Sequence, residues 1–281
     1  WYAALGEKTQ APLKKRPLEV QTGNGWDRTL PCINLAVEEL ETHGWLVNQT
    51  RMWLSSHWTV RHGQDWRKGE DRFFQHLIDG SRAANRLGWQ WTTGIGSSKS
   101  YGFSRWQVEK RAPGLCNRCP HQTQCPIQEW PDEPLSEAVP APTKIDNYGP
   151  TTTINTDAPT HVWLTAESLG EKDPALLHNP NLPAVFVFDE PLLRHLRISP
   201  KRIIFLVETL AEIAETRPLN IFLGHPQAEL DGKQLTVTHA PVPGFQKHAQ
   251  SLNIVETWPW PWLCQPNNAP VHSFSSWVKK A

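Results

Sequence analysis

Apolar side chains recur at helical period in the first half of the chain and in short unbroken runs in the second. Between residues 32 and 46, Ile33, Leu35, Ala36, Leu40 and Trp45 fall near one helical stripe, and Gly44 stands where a helix would stop. Residues 48–62 and 68–79 read as two further helices, the second with Phe73, Phe74, Leu77 and Ile78 on one face. Residues 81–92 read as a short helix, broken by the glycine- and serine-rich run at 94–98. Later the pattern changes. Residues 161–165 and 183–189 are near-continuous apolar runs, suited to buried parallel strands. Residues 199–216 predict an amphipathic helix opened by Ser199 and Pro200, and 219–224 and 235–239 predict two more strands. Strand–helix–strand alternation argues for an open α/β sheet. The fold class expected is therefore α+β and multidomain, an all-α half followed by an α/β domain. No GxGxxG follows the first strand and no Walker motif occurs, so nucleotide binding by the second half is not indicated.

Between the two patterns lies a stretch, 131–158, in which Pro131, Pro134, Pro140, Pro142 and Pro150 are spaced through Ser, Thr, Ala and Asp. Such a composition cannot bury a core and reads as an extended linker. The organisation expected is a helical domain over 1–130, with 1–31 irregular or partly helical, a linker over 131–158, an α/β domain over 159–265 and a tail over 266–281.

Charge refines this picture a little. The 28 Lys and Arg balance the 28 Asp and Glu, but unevenly along the chain. Residues 1–130 hold 17 basic and 12 acidic side chains, a net of +5, and residues 131–281 hold 11 and 16, a net of −5. A basic half favours a polyanion such as DNA, although it contains no dense basic run and would equally help the halves dock on each other. No apolar run approaches the roughly 20 residues of a membrane span. With no secretory signal in view, the expectation is a cytoplasmic protein with reduced thiols and no membrane partner.

Four of the five cysteines carry the clearest chemistry. Cys116 and Cys119 form a CxxC, and Cys125 follows before Pro126. Three thiolates on one short loop can close most of a metal shell, and zinc and iron–sulfur clusters both take four such ligands. Cys32 is the fourth candidate, far upstream; spacing alone does not select it, and ordinary buried thiols remain the bland reading. Cys264, between Leu263 and Gln265, has no partner in sequence and reads as structural.

Three blocks carry a family resemblance. Asp79-Gly-Ser-Arg-Ala-Ala-Asn85-Arg-Leu-Gly-Trp89-Gln-Trp91 resembles the flavin-cradling signature of the cryptochrome/photolyase family. Gly44-Trp-Leu-Val-Asn48-Gln-Thr-Arg51-Met52 and Asp65-Trp66-Arg67-Lys-Gly-Glu70 resemble two further blocks of that family, in its order and spacing. The second half is similar to the family's Rossmann-like α/β domain at Val162-Trp163-Leu164, Asp173-Pro174-Ala175, Val185-Phe186-Val187-Phe188-Asp189 and Ser199-Pro200-Lys201-Arg202. One branch of the family carries a [4Fe-4S] cluster. Resemblance to that branch implies Cys32, Cys116, Cys119 and Cys125 as the ligands, and iron–sulfur rather than zinc.

The resemblance also implies the remaining site. Arg51 and Asp79 would form a buried ion pair beside the isoalloxazine ring of FAD. Asn85 would lie near the flavin N5, and Asn48 would face the substrate side. Ser81 stands where many members have a second aspartate. Trp89 and Trp66 match the inner members of an electron-transfer chain, and Met52 and Trp91 match positions that pack on a flipped-out pyrimidine dimer. With 15 tryptophans in the chain, only the flanking motifs single these out.

Two departures stand out. The α/β domain comes last rather than first, a permuted order. The first helical half of the flavin domain is missing: there is no Thr-Ser-x-Leu-Ser-Pro stretch and no Trp-Arg-Glu-Phe block. The implied function is light-driven electron transfer from FAD to pyrimidine photoproducts in DNA, single-stranded or damaged, with a second chain supplying the missing half of the cradle as a heterodimer. The alternative is a non-catalytic iron–sulfur interaction subunit or a photoreceptor.

Overall fold

The computed structural model describes residues 25–94, 100–130, 149–265 and 274–279. The expectations for residues 1–24, for the break at 95–98, for most of the linker and for much of the tail lie outside these. The chain divides into two compact units, Trp1–Thr143 with Pro270–Ser276, and Lys144–Ala269 with Trp277–Ala281.

Among the described residues the first unit is helical: α1 (Pro31–His43), α2 (Asn48–Ser56), α3 (Trp66–His76), α4 (Arg82–Thr92) and α5 (Arg105–Arg111), with a 3-10 turn at Cys116–Arg118. Each helix starts and stops for a local reason. Pro31 opens α1, and Gly44, at φ 69°, ends it in the left-handed conformation while its N–H reaches the Leu40 carbonyl. Asp65 caps α3 by accepting from the Arg67 N–H, and Ser81 caps α4 by accepting from Ala84. Ser104 and Gln107 form a capping box on α5. The buried positions of α3 are Trp66, Gly69, Glu70, Phe73 and Phe74, one stripe at helical spacing. Of these, Trp66 and Phe73 join Ile33, Leu40, Leu54, Trp58 and Trp89 in one core.

The helix expected over 48–62 runs as one helical segment from Asn48 to Arg61, but it is not α-helical throughout. It is regular to Ser56 and then widens into a π turn, His57–Arg61. Thr59 Oγ1 donates to the Ser55 carbonyl, and the turn places His57 1% exposed with its Nε2 3.1 Å from His62 Nε2. Burial pulls His57 down to about 3, so it is neutral at ordinary pH. π turns inside helices recur at functional sites; here the turn aims Arg61 at the cysteine loop.

The second unit is an α/β sheet in the order β1-β6-β5-β2-β3-β4, from β1 (Ile154–Asn155), β2 (His161–Leu164), β3 (Ala184–Asp189), β4 (Leu219–Gly224), β5 (Leu235–Thr238) and β6 (Ile254–Trp258). All pairings are parallel except β1 with β6. Chain order reverses between β2 and β5, the switch point of an open α/β sheet. The helices α6 (Pro174–His178), α7 (Glu190–Leu196), α8 (Pro200–Thr216), α9 (Pro226–Glu229) and α10 (Pro243–Ala249) are interspersed, and a short helix, Phe274–Val278, ends the described chain. Sequence reading missed β1 and β6. The sheet begins at Ile154, inside the stretch read as linker, because Asn155 and Thr156 bond to Glu256 and Val255. Among the described residues no helix is long and apolar enough to cross a membrane.

Candidate functional site

Helices α2 and α4 lie side by side in the helical unit, joined by a 2.9 Å hydrogen bond between Ser55 Oγ and Thr92 Oγ1. Most residues singled out in the sequence sit on these two helices or between them. Arg51, one turn into α2, is held at two points. Its Nε donates to the Leu46 carbonyl at 2.9 Å, and its Nη2 donates to both Asp79 oxygens at 3.1 and 2.8 Å. Asp79 belongs to the turn between α3 and α4. The pair forms, but it is not buried as expected: the Arg51 side chain is 22% exposed and the Asp79 side chain 48%. The turn that carries Asp79 lies at the surface, so solvent screens the pair and its worth to stability is about 1 kcal/mol or less.

Asn85 is buried, and its Nδ2 donates to the Ser81 carbonyl at 2.9 Å. Ser81 is occupied as the cap of α4. Asn48 is exposed at the first position of α2, Met52 is half-buried one turn later, and Trp91 is exposed on α4. A Cβ added at Gly88, one turn beyond Asn85, would meet nothing within 4 Å. The face therefore offers a fixed guanidinium, a carboxylate, a carboxamide and open space beside them.

Behind this wall, Trp66 and Trp89 are fully buried, and each indole N–H lacks a hydrogen-bond partner. Trp89 packs edge-on against Phe73 at 5.0 Å and Trp58 at 6.4 Å between ring centroids. Trp58 in turn meets Trp26 at 5.1 Å. Trp66 instead lies under two guanidinium groups, Arg67 at 4.2 Å and Arg86 at 5.7 Å from its centroid. Arg86 is anchored by both oxygens of Glu70, a carboxylate only 1% exposed. Sequence reading missed Trp58, Trp26 and Glu70 as parts of this arrangement. The signal was available for Trp58, which follows Leu54 at helical spacing.

The second constellation is the set of thiols. Cys32 at the start of α1 and Cys116, Cys119 and Cys125 of the loop line one small cavity, with Leu30, Pro31, Leu115, Ile127 and Arg105 as the other walls. All five cysteines of the chain are free thiols. Burial, together with the neighbouring thiols of Cys116, Cys125 and Cys119, pushes Cys32 up to about 12. Among the described residues no three His, Cys, Asp or Glu side chains are spaced to hold a single metal ion. The loop is held from outside by Arg61, whose guanidinium donates to the carbonyls of Phe103, Pro126 and Glu129. Arg105 adds a 2.6 Å bond to the Gln122 carbonyl. Neither arginine was singled out in the sequence, since a carbonyl clamp leaves no motif.

Comparison with known proteins gives a partial match that covers the α2–α4 segment. Residues 21–112 match the FAD binding domain of DNA photolyase. The deoxyribodipyrimidine photo-lyase of Synechococcus is 42% identical over 66 residues, 24% of this chain and 14% of that protein. Its counterpart in Buchnera aphidicola from Acyrthosiphon pisum is 32% identical over 124 residues, 38% of this chain and 26% of that protein. That of Escherichia coli is 34% identical over 84 residues, 30% of this chain and 18% of that protein. The matches thus span about a quarter or less of these relatives' length. No solved structure matches the chain. Residues 21–112, the segment that holds Arg51, Asp79, Asn85, Trp66 and Trp89, are thus similar to the FAD binding domain of DNA photolyase, and this likeness covers about a third of the chain.

Proposed function

We propose that the helical unit binds FAD against the face of α2 and α4 and serves a photolyase-type reaction on pyrimidine photoproducts in DNA. The observation that carries this reading is the Arg51–Asp79 ion pair, with Asn85 bonded to the nearby Ser81 carbonyl, inside the segment that matches the FAD binding domain of DNA photolyase. These residues fit one side of an isoalloxazine ring. Arg51 and Asp79 supply a cation and an acceptor already oriented by each other, and Asn85 supplies a carboxamide held by Ser81. When bound, FAD would supply light-driven electron transfer. Trp89 and Trp66 exclude water behind the wall and present oxidisable indoles there. Asn48, Met52 and Trp91 line the outer rim, where a flipped-out base would be met. The opposite wall of the cradle would come from a second chain or from residues outside this sequence.

FAD retention tests the reading. Arg51→Ala is expected to lose more bound flavin on gel filtration than Ser81→Ala, because Ser81 spends its hydroxyl on the helix cap. Since the Arg51–Asp79 pair is half exposed, Arg51→Ala should cost the fold only about 1 kcal/mol. Protein that stays colourless after reconstitution with FAD and any partner chain removes the proposal.

We also propose that Cys32, Cys116, Cys119 and Cys125 ligate a [4Fe-4S] cluster. Four thiols around one cavity suit a cubane in which each thiolate takes a different iron. A thiol raised as far as Cys32 binds as thiolate only when a metal displaces its proton. Cys32→Ser is expected to lose the iron, the acid-labile sulfide and the broad visible band, and to unfold at lower temperature. Wild-type protein isolated anaerobically with zinc and no iron would overturn the assignment.

A further inference from the structure

Three aromatic rings stand in a row on the surface of the helical unit. Trp91 in α4 packs against Tyr101 with centroids 5.3 Å apart, and Tyr101 packs edge-on against Trp130 at 6.1 Å. Trp91 is 45% exposed and Trp130 37%, whereas indoles of this size are usually well covered. The row is rigid. The Tyr101 N–H donates to the Thr92 carbonyl at 2.8 Å, and its own carbonyl accepts from Ser56 Oγ at 2.6 Å. Arg61 holds the carbonyls of Pro126 and Glu129, the approach to Trp130.

Charge lies beside the rings. Burial raises the Tyr101 hydroxyl, and the charge of Arg111, an exposed residue of α5, offsets part of that rise. The same helix, α5, carries Lys110 over the exposed face of Trp106 at 5.7 Å. This half of the chain has 17 basic against 12 acidic side chains. Open aromatic faces on a fixed base, flanked by cations, are how proteins hold unpaired nucleotides: the rings stack on bases and the cations track phosphates.

We propose that Trp91, Tyr101 and Trp130 form a stacking track for the unpaired bases of a single-stranded DNA segment, with Arg111 at its phosphates. The track carries bound strand from the rim of the α2–α4 wall toward the cysteine loop, and it rests on the photolyase-type reading for the choice of DNA.

The test uses the full chain in the dark, with a fluorescein-labelled oligothymidylate and the same oligomer carrying abasic residues. Trp130→Ala is expected to bind oligothymidylate about 5- to 150-fold more weakly, the usual loss for one base–aromatic stack. Trp130→Phe should stay within about 3-fold of wild type, since phenylalanine keeps a ring face. Arg111→Gln should lower the salt dependence by about one ion, while Trp130→Ala leaves it unchanged. Wild-type protein should bind the abasic oligomer much more weakly than oligothymidylate, a comparison that needs no variant. The track is overturned if folded Trp130→Ala binds oligothymidylate as wild type does, or if abasic and thymine-bearing strands bind equally. Flavin content is read in the same samples. Protein without FAD that still shows these losses removes the flavin reading and keeps the track; FAD-loaded protein without them removes the track alone.

Discussion

Gly69→Ala is expected to destabilise the helical unit by about 3 kcal/mol, the upper end of what overpacking of a filled core usually costs. Gly69 lies inside α3, where alanine would ordinarily be favoured over glycine by about 1 kcal/mol. The sign reverses here because a Cβ at this position would run into the Cη2 and Cζ3 atoms of Trp89. Trp89 cannot retreat. Its ring is 1% exposed and is walled by Phe73 and Trp58. The measurement is thermal unfolding followed by tryptophan fluorescence, with Gly88→Ala as control, since a Cβ at Gly88 meets nothing within 4 Å. A Gly69→Ala protein as stable as wild type would mean that Trp89 does not pack on α3 as described.

Glu256→Ala is expected to cost the α/β unit about 3 kcal/mol or more, because several donors lose their acceptor together. Glu256 in β6 is 7% exposed and accepts from Thr236 Oγ1 and Trp258 Nε1 at 2.6 Å, from Asn179 Nδ2 at 2.8 Å and from Asn155 Nδ2 at 3.1 Å. These bonds tie β1, β5, β6 and α6 to one carboxylate. Burial alone would raise its carboxyl, but the four donors outweigh burial and hold it below its ordinary value of 4.5. A folded-state pKa below the unfolded one gives a contribution that is complete above the unfolded value and is lost as pH falls through the folded one. Denaturant midpoints of the α/β unit should therefore drop below about pH 4.5 in wild type and drop less in Glu256→Gln. Equal pH profiles in the two proteins would show that the carboxylate charge is not what the four donors recognise.

The elements with a strong local signal were legible in the sequence. The helix ending at Gly44 and the α8 helix opened by Ser199 and Pro200 follow from caps and stripes. The runs at 183–189 and 219–224 became β3 and β4, paired in parallel. What could not be read depended on contacts distant in the chain. β1 has two residues and no apolar pattern, and exists because β6 offers it an edge. β6 carries a buried glutamate, which reads as polar until its four donors are seen. The pairing of Arg51 with Asp79 was visible through resemblance, but not its exposure, which depends on how the α3–α4 turn meets solvent. The meeting of Cys32 with the loop thiols likewise depends on α1 and the loop reaching one cavity. Trp58 carried a periodic signal, but nothing local said that its ring would touch Trp89 rather than pack elsewhere.

The Arg61 clamp has a kinetic consequence. Its carbonyl partners lie 42, 65 and 68 residues further along the chain, so each bond closes a long loop. Such closures lose entropy before any contact rewards them, and they form late relative to neighbouring helix turns. The helices α1 to α4 can assemble from nearer contacts, whereas the loop bearing Cys116, Cys119 and Cys125 settles only once Arg61 is in place to receive it. The thiol cavity is therefore expected to close late in the folding of this unit, and pulse-labelling of the four thiols during refolding, with late protection expected, would check it.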